Sequence, residues 1–246
     1  MPYCKKTMTE RYERQGLVEQ IGLEGQRKLA DAAIFVVGAG GIASPALTYL
    51  AAAGLGRLGL IDPDRVAPSN LNRQFLHGEA DVGRSKAQSA EEFLRALNSE
   101  IEIKAYEALL TEENAENILA GYDLVLGGVD SLGTRHILNR ACLSLGLPYI
   151  DGGLEGFSGY VAYSNPPDTP CFNCIFPEKS EKKEPAGVLG TTAGIIGVAA
   201  ANLALLELLG LENPLRNKLF LYDGLRMRTD LIDIRRNGAC RVCGTN

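Results

Sequence analysis

The chain has 246 residues, 46% apolar and 22% charged, enough to bury a sizeable core and ordinary for a globular protein. Its formal charge of −5 argues against a nucleic-acid partner. Lys5 and Lys6 are followed by no apolar run, so no secretory leader is expected and the protein is expected in the cytoplasm.

Taken in chain order, residues 33–37 (AIFVV) form a short β-rich run ending in glycines, and 42–53 follow as a helix pattern. Residues 58–61 read as a second strand that stops at Asp62. A charged amphipathic helix is expected over 83–97, a strand over 101–105, and a short helix over 112–120 with Thr111 as its N-cap. A buried strand over 124–126, a helix over 132–145 and a strand over 149–150 complete the first half. Strands alternating with helices predict a parallel, doubly wound α/β sheet.

The pattern changes after Asp151. Residues 159–164 alternate like an antiparallel strand, and 178–184 (EKSEKKE) are a charge run read as a solvated loop. Residues 190–211 are the most apolar stretch and approach the length of a membrane span. Gly190, Gly194, Gly197 and Asn202 interrupt it and Glu207 lies near its end, so a buried helix is expected and no membrane contact. Two strand-like runs, 218–222 and 231–234, follow. The expected architecture is one continuous domain over 1–246, a Rossmann-like, mostly parallel sheet extended by C-terminal antiparallel strands.

Gly38-Ala39-Gly40-Gly41-Ile42-Ala43 reads G-x-G-x-x-A between a strand and a helix. Glycines there permit a tight turn and let backbone N–H groups approach a phosphate at the helix N-terminus. Asp62 ends the next strand, where a carboxylate meets a ribose hydroxyl. These features fit NAD, FAD or ATP. The segment Ser69-Asn70-Leu71-Asn72-Arg73-Gln74, Lys86 and Asp130 narrow the choice. Asp130 lies beyond the carboxyl end of its strand, and such ends share one crevice in an open sheet. Arg73 and Lys86 suit phosphate oxygens, and Asp130 suits Mg²⁺. Hydride transfer needs none of these, so a nucleoside triphosphate fits better than a dinucleotide.

Cys171-Phe172-Asn173-Cys174 and Cys240-Arg241-Val242-Cys243 are two C-x-x-C units. Four thiolates make a closed, structural Zn²⁺ site, and their wide separation requires the end of the chain to fold back to its middle. A redox pair or disulfides are the alternatives. Cys142 sits in an apolar helix pattern and reads as a small core residue, and Cys4 lies in a polar tail. Neither reads as a nucleophile.

Together RYERQ (11–15), GAGGIA, LGLID, SNLNRQ, GRSK (83–86), GVDS (128–131) and the cysteine pairs resemble the MoeB/ThiF/HesA branch of the ubiquitin-activating-enzyme superfamily, and MoeB above all. The resemblance runs from Arg11 to Gly244. It implies an adenylyltransferase that joins AMP from ATP to the C-terminal carboxylate of a small ubiquitin-like sulfur-carrier protein and releases pyrophosphate. In that reading Gly38, Gly40 and Gly41 cradle phosphate and Asp62 holds the ribose. Ser69, Asn70, Arg73, Gln74 and Lys86 contact ATP, and Asp130, with Ser131 beside it, organises Mg²⁺. Arg14 reaches the nucleotide of the other protomer of a homodimer, joining Arg73, Lys86 and Asp130 as catalytic residues. The half from 1–150 would bind nucleotide, and the half from 151–246 would carry the Zn²⁺ cysteines, a crossover loop and the carrier-binding surface. A carboxylate is ionised at neutral pH, so no general base is required.

The chain departs from the family pattern in two places. Residues 182–187 lack the crossover-loop cysteine of some members, which disfavours a covalent carrier–enzyme intermediate and favours a separate sulfur donor. Gly128 and Ser131 stand where many bacterial members have aspartate and asparagine, which puts more of the metal binding on Asp130. Three rival readings are an NAD-dependent oxidoreductase, a tRNA-modifying adenylating relative, and a non-catalytic carrier-binding subunit.

Overall fold

A computed structural model describes residues 10–178 and 187–244. After a 3₁₀ turn (Glu10–Tyr12), helices α1 (Glu13–Gly16) and α2 (Gly22–Asp31) precede strand β1 (Ala33–Val37). There follow α3 (Ala43–Ala53), β2 (Arg57–Ile61), α4 (Lys86–Leu97), β3 (Glu102–Tyr106), α5 (Glu112–Leu119), β4 (Leu124–Gly127), α6 (Leu132–Leu145) and β5 (Tyr149–Glu155). The second half adds β6 (Ser158–Ser164), α7 (Phe172–Ile175), α8 (Gly190–Leu209), β7 (Lys218–Asp223) and β8 (Arg228–Asp233).

Among the described residues, eight strands form one sheet in the order β3-β2-β1-β4-β5-β6-β7-β8. The first five are mutually parallel. From β5 to β8 neighbours run antiparallel. A single sheet therefore runs through both halves of the chain. The expected α/β architecture is borne out, including the antiparallel extension.

Every residue of β1 is buried, as a strand covered on both faces requires. Its side chains alternate between two cores. Ile34 and Val36 join residues of α3, α4 and α8 on one face. Phe35 and Val37 join Leu119 of α5 and Leu138 of α6 on the other. The strand order reverses at β1, where β2 continues one way and β4 the other. That switch point is where an open α/β sheet forms a crevice at the carboxyl ends of its strands.

The apolar helix predicted over 190–211 is α8, with mean hydropathy 1.8 over its window. It packs in the core against β5, β6, α3 and α2. Gly197 permits this seat: a Cβ there would lie 2.3 Å from the Ile42 carbonyl oxygen and 2.4 Å from Pro45 Cγ. Its outer stripe of Thr191, Ile195, Val198 and Asn202 is exposed.

Three boundaries differ from the sequence reading by three residues or more. The helix expected from residue 83 opens at Lys86, because Ser85 takes the N-cap and accepts from the Gln88 N–H. The strand expected over 149–150 extends to Glu155, paired with β6 beyond its parallel partner β4. The last strand begins at Arg228 rather than 231, because it closes a hairpin with β7 in which Asp223 faces Arg228. Residues 179–184 of the charge run, residues 182–186 of the crossover segment, and Cys4 lie outside the described residues.

Candidate nucleotide and metal sites

The loop after β1 is a hub. Gly38 has φ +97°, a left-handed conformation that glycine adopts without strain, and its N–H donates to the Ile61 carbonyl at 2.8 Å. The loop touches each neighbouring segment. A Cβ on Gly38 would lie 3.0 Å from the Gly128 carbonyl oxygen, and one on Gly41 would lie 3.2 Å from both Arg73 Cγ and Ala193 Cβ. Helix α3 opens just beyond, so its first-turn N–H groups face whatever the loop holds.

Asp62 is 5% exposed and locks the loop from β2. Its Oδ2 accepts from the Ala39 N–H at 2.8 Å and its Oδ1 from the Asp64 N–H at 2.8 Å. Burial raises its carboxyl above the usual range, opposed by those two N–H bonds and by the positive charge of Lys86. Lys86 is itself buried, and its Nζ donates to Asp64 Oδ2 at 2.9 Å. On the opposite side of the loop, buried His77 has Nε2 3.2 Å from the Ala39 carbonyl and Nδ1 2.9 Å from Ser89 Oγ. A carbonyl only accepts, so Nε2 carries the proton and Ser89 donates to Nδ1. Burial lowers the pKa of His77.

The segment 69–74 folds as a tight turn. Asn70 Oδ1 accepts from the Ala67 N–H at 3.0 Å, and the Ser69 carbonyl accepts from Arg73 Nη1 at 3.0 Å. Arg73 Nη1 also donates to Asn72 Oδ1 at 2.8 Å, and the residue is half-buried. Gln74 is buried, with Nε2 near Gly40. A cleft of about 370 Å³ opens beside Arg73, bounded by Asn72, Phe75, Leu189 and Thr191.

Asp130 and Ser131 lie in the short loop from β4 to α6. Asp130 is exposed, and Ser131 is the N-cap of α6, its Oγ accepting from the Thr134 N–H at 3.2 Å. The loop is tied to β1 by the Gly128 N–H on the Val37 carbonyl at 2.9 Å. The structure thus brings Gly38, Gly40, Gly41, Asp62, Arg73, Gln74, Lys86 and the Asp130 loop to one crevice. Ser69 and Asn70 shape it through their turn.

Arg14 lies elsewhere. It is exposed on α1, whose neighbour Gln15 donates to the Ala53 carbonyl at 2.9 Å at the far end of α3. The 11 residues of α3 put about 16 Å between that end and the glycine loop.

Several residues of the crevice were missed from sequence. Asp64 gave a faint signal, two positions after Asp62. His77, Ser89 and the buried pair Arg135–Asp151, at 3.2 Å, gave none, because each acts through a partner remote in the chain.

The four cysteines of the two C-x-x-C units converge. Their sulfurs all lie within 4.8 Å of one another, with Cys171–Cys174 at 3.8 Å, Cys171–Cys240 at 3.7 Å and Cys174–Cys243 at 3.4 Å. These spacings exceed a disulfide bond and match the roughly 3.8 Å edge of a tetrahedron of thiolates about 2.3 Å from zinc. Burial opposes ionisation of Cys240, but the Cys243 N–H, the Asn173 side chain and the Val242 N–H outweigh it and hold the thiol down to about 6. The donor set fits zinc. Cys142, by contrast, is buried and its thiol is pushed far up, as expected of a core residue.

The ThiF family matches residues 12–242. The chain is 42% identical to a sulfur carrier protein adenylyltransferase from Thermus thermophilus, over 97% of this chain and 92% of that protein. It is 38% identical to the SAMP-activating enzyme E1 of Haloferax volcanii, over 97% and 90%. It is 42% identical to the mouse adenylyltransferase and sulfurtransferase MOCS3, of which it spans 52%. Among solved structures, E. coli MccB with ATP superposes with TM-score 0.85 at 23% identity, covering 98% of this chain and 75% of that one, a likeness of fold. On the family match and on relatives matched over nearly their whole length, the chain belongs to the ThiF family.

Proposed function

We propose that this protein is an adenylyltransferase that activates the C-terminal carboxylate of a small ubiquitin-like sulfur-carrier protein with ATP. The observation that carries the reading is the convergence of the glycine loop, Asp62, Arg73, Lys86 and the Asp130 loop at the switch point of the sheet. Relatives named as adenylyltransferases of sulfur carriers support the substrate class. A carboxylate oxygen of the carrier attacks the α-phosphorus of ATP. The bond from that phosphorus to the bridging oxygen breaks, and pyrophosphate leaves with the electron pair. No proton has to be removed from the nucleophile. Catalysis rests on positioning and on cations placed where charge moves.

In this reading the N–H groups around Gly38, Gly40 and Gly41 hold phosphate, and Asp62 keeps lone pairs for ribose hydroxyls beyond the two N–H bonds it accepts. Ser69 and Asn70 set the turn that aims Arg73 and Gln74 at the nucleotide. Lys86 neutralises phosphate oxygen while Asp64 holds it in place. Asp130, with Ser131 beside it, would hold Mg²⁺, which supplies charge neutralisation on the phosphates. The cysteine cluster would hold Zn²⁺ and tie the C-terminal knuckle to α7. The cleft beside Arg73 receives the carrier's C-terminal tail. Arg14 completes the site of a second protomer in a homodimer, and sulfur arrives from a separate donor, in the cytoplasm.

The test is ATP–pyrophosphate exchange with purified protein, Mg²⁺ and a panel of small carriers ending in Gly-Gly. Exchange that depends on one carrier is expected. ATP binding without exchange for any carrier would overturn the catalytic reading.

A further inference from the structure

We propose that Arg135 is a positioning residue for adenylation, fixing the Val129–Asp130 peptide and so the place of the Asp130 carboxylate. The inference rests on the reading above, in which Asp130 serves the metal.

Arg135 sits in the first turn of α6, where its N–H donates to the Ser131 carbonyl at 3.2 Å. A helical side chain of this length leans back toward the helix N-terminus. Here it folds under the preceding loop. Nε and Nη2 both donate to the Val129 carbonyl, at 3.0 and 2.5 Å. That carbonyl belongs to the peptide whose nitrogen is Asp130's own, so the planar guanidinium grips the planar unit on which Asp130 is mounted.

The guanidinium is gripped in turn from below. Nη1 donates to Asp151 Oδ2 at 3.2 Å and to the Tyr160 hydroxyl. Asp151 is 1% exposed, on β5 opposite Gly127 of β4. It also accepts from the Tyr149 hydroxyl at 2.7 Å and the Tyr160 hydroxyl at 2.8 Å. Arg135, Tyr149 and Tyr160 approach this carboxylate as donors. The cluster thus runs from the sheet interior through Arg135 to one loop carbonyl.

A purely structural role accounts poorly for this arrangement. A buried ion pair is weak evidence for stability, because desolvation offsets its attraction and an apolar pair of similar volume often does as well. An apolar pair could not hold the Val129 carbonyl. Beyond that carbonyl Asp130 and Ser131 are exposed, so the largely buried Arg135 side chain, 12% exposed, anchors the loop beneath the metal-binding acid. Groups that orient a metal ligand typically change metal affinity or activity by about 10- to 100-fold when altered.

Two variants test this. Arg135→Lys keeps the charge but cannot fork between the carbonyl and Asp151. Tyr160→Phe removes one hydroxyl and retains the ring against Phe176, and serves if the first variant folds poorly. The readouts are the Mg²⁺ dependence of carrier-dependent exchange, Mn²⁺ binding to the nucleotide complex by electron paramagnetic resonance, and metal-free nucleotide affinity. Expected for Arg135→Lys is a rise of about tenfold in half-saturating Mg²⁺ and in the Mn²⁺ dissociation constant, with metal-free nucleotide affinity unchanged and the rate partly recovered at high Mg²⁺. A folded variant with unaltered metal dependence would overturn the inference. Absence of exchange by the wild-type protein would instead overturn the adenylation reading itself.

Discussion

At the residue scale, Asp62 and His77 clamp the same residue from two sides. One accepts the Ala39 N–H and the other donates to the Ala39 carbonyl, so the glycine loop is held in shape before any ligand arrives. Burial shifts the ionisation of both side chains. His77 has a folded pKa below its ordinary 6.5, so the unfolded chain binds more protons once the pH drops to that value. Its contribution to stability is therefore complete above about pH 6.5 and is lost as the pH falls toward the folded pKa. Asp62, raised by burial, acts in the opposite sense at lower pH. Urea unfolding at pH 7.5 and 5.5 should show a drop in stability for the wild type that is smaller in His77→Gln. Equal drops would separate His77 from the effect. Asp130 is exposed, so Asp130→Ala should leave the unfolding midpoint unchanged while lowering Mg²⁺-dependent exchange by roughly 100-fold or more. Retained exchange in that variant would remove Asp130 from the metal site.

At the scale of elements, the cysteine cluster performs a task that no strand or helix does. It draws residues 240–243, beyond β8, back onto α7. Among the described residues that C-terminal segment adds little apolar core, and its buried residues are mainly the cysteines themselves. The metal would therefore supply much of the energy that holds it. Purified protein should carry one zinc per chain by elemental analysis. Cys240→Ser should lose it and cost about 2 kcal/mol or more, which for a chain of this size lowers the melting temperature by about 4–8 °C. Metal-free protein with full stability would contradict a structural role. Helix α8 makes the opposite point. Its composition alone permits a membrane span, but Gly197 lets it lie close on α3.

At the scale of the whole molecule, the crevice of one chain gathers an incomplete set of the proposed catalytic cations. Arg14 sits at the far end of α3 from its own glycine loop, while Leu17, Leu23 and Tyr49 nearby and Ile195 and Val198 on α8 are exposed apolar side chains. A second protomer covering that surface could exchange arginines with the first in a two-fold arrangement. Arg14→Ala and Lys86→Ala should each be inactive alone. Mixed and re-associated in equal amounts, they should recover about a quarter of wild-type exchange, because half the dimers are mixed and each has one intact site. No recovery, with mixed dimers demonstrated, would mean that Arg14 serves its own chain or none.

What the sequence by itself determined was local. The AIFVV run, the glycines after it and Asp62 lie on one strand–loop–helix–strand unit, so periodicity and turn chemistry were enough to read them. The cysteine pairs were legible for a similar reason, since C-x-x-C spacing is a property of one turn. Even the family pattern is a string of such short local signals. The tertiary structure alone decided which side chains stand behind those signals. Lys86 pairs with Asp64, His77 reaches back to Ala39, and Arg135 joins Asp151 to the Val129 carbonyl. The first closes the connection between β2 and α4, where the Lys86 N–H also donates to the Asp64 carbonyl, and the links to Ala39 and Asp151 form only when the strands line up at the switch point. A lone histidine or arginine in an amphipathic stretch carries no mark of the partner it will meet across the sheet, and the geometry of the fold supplies it.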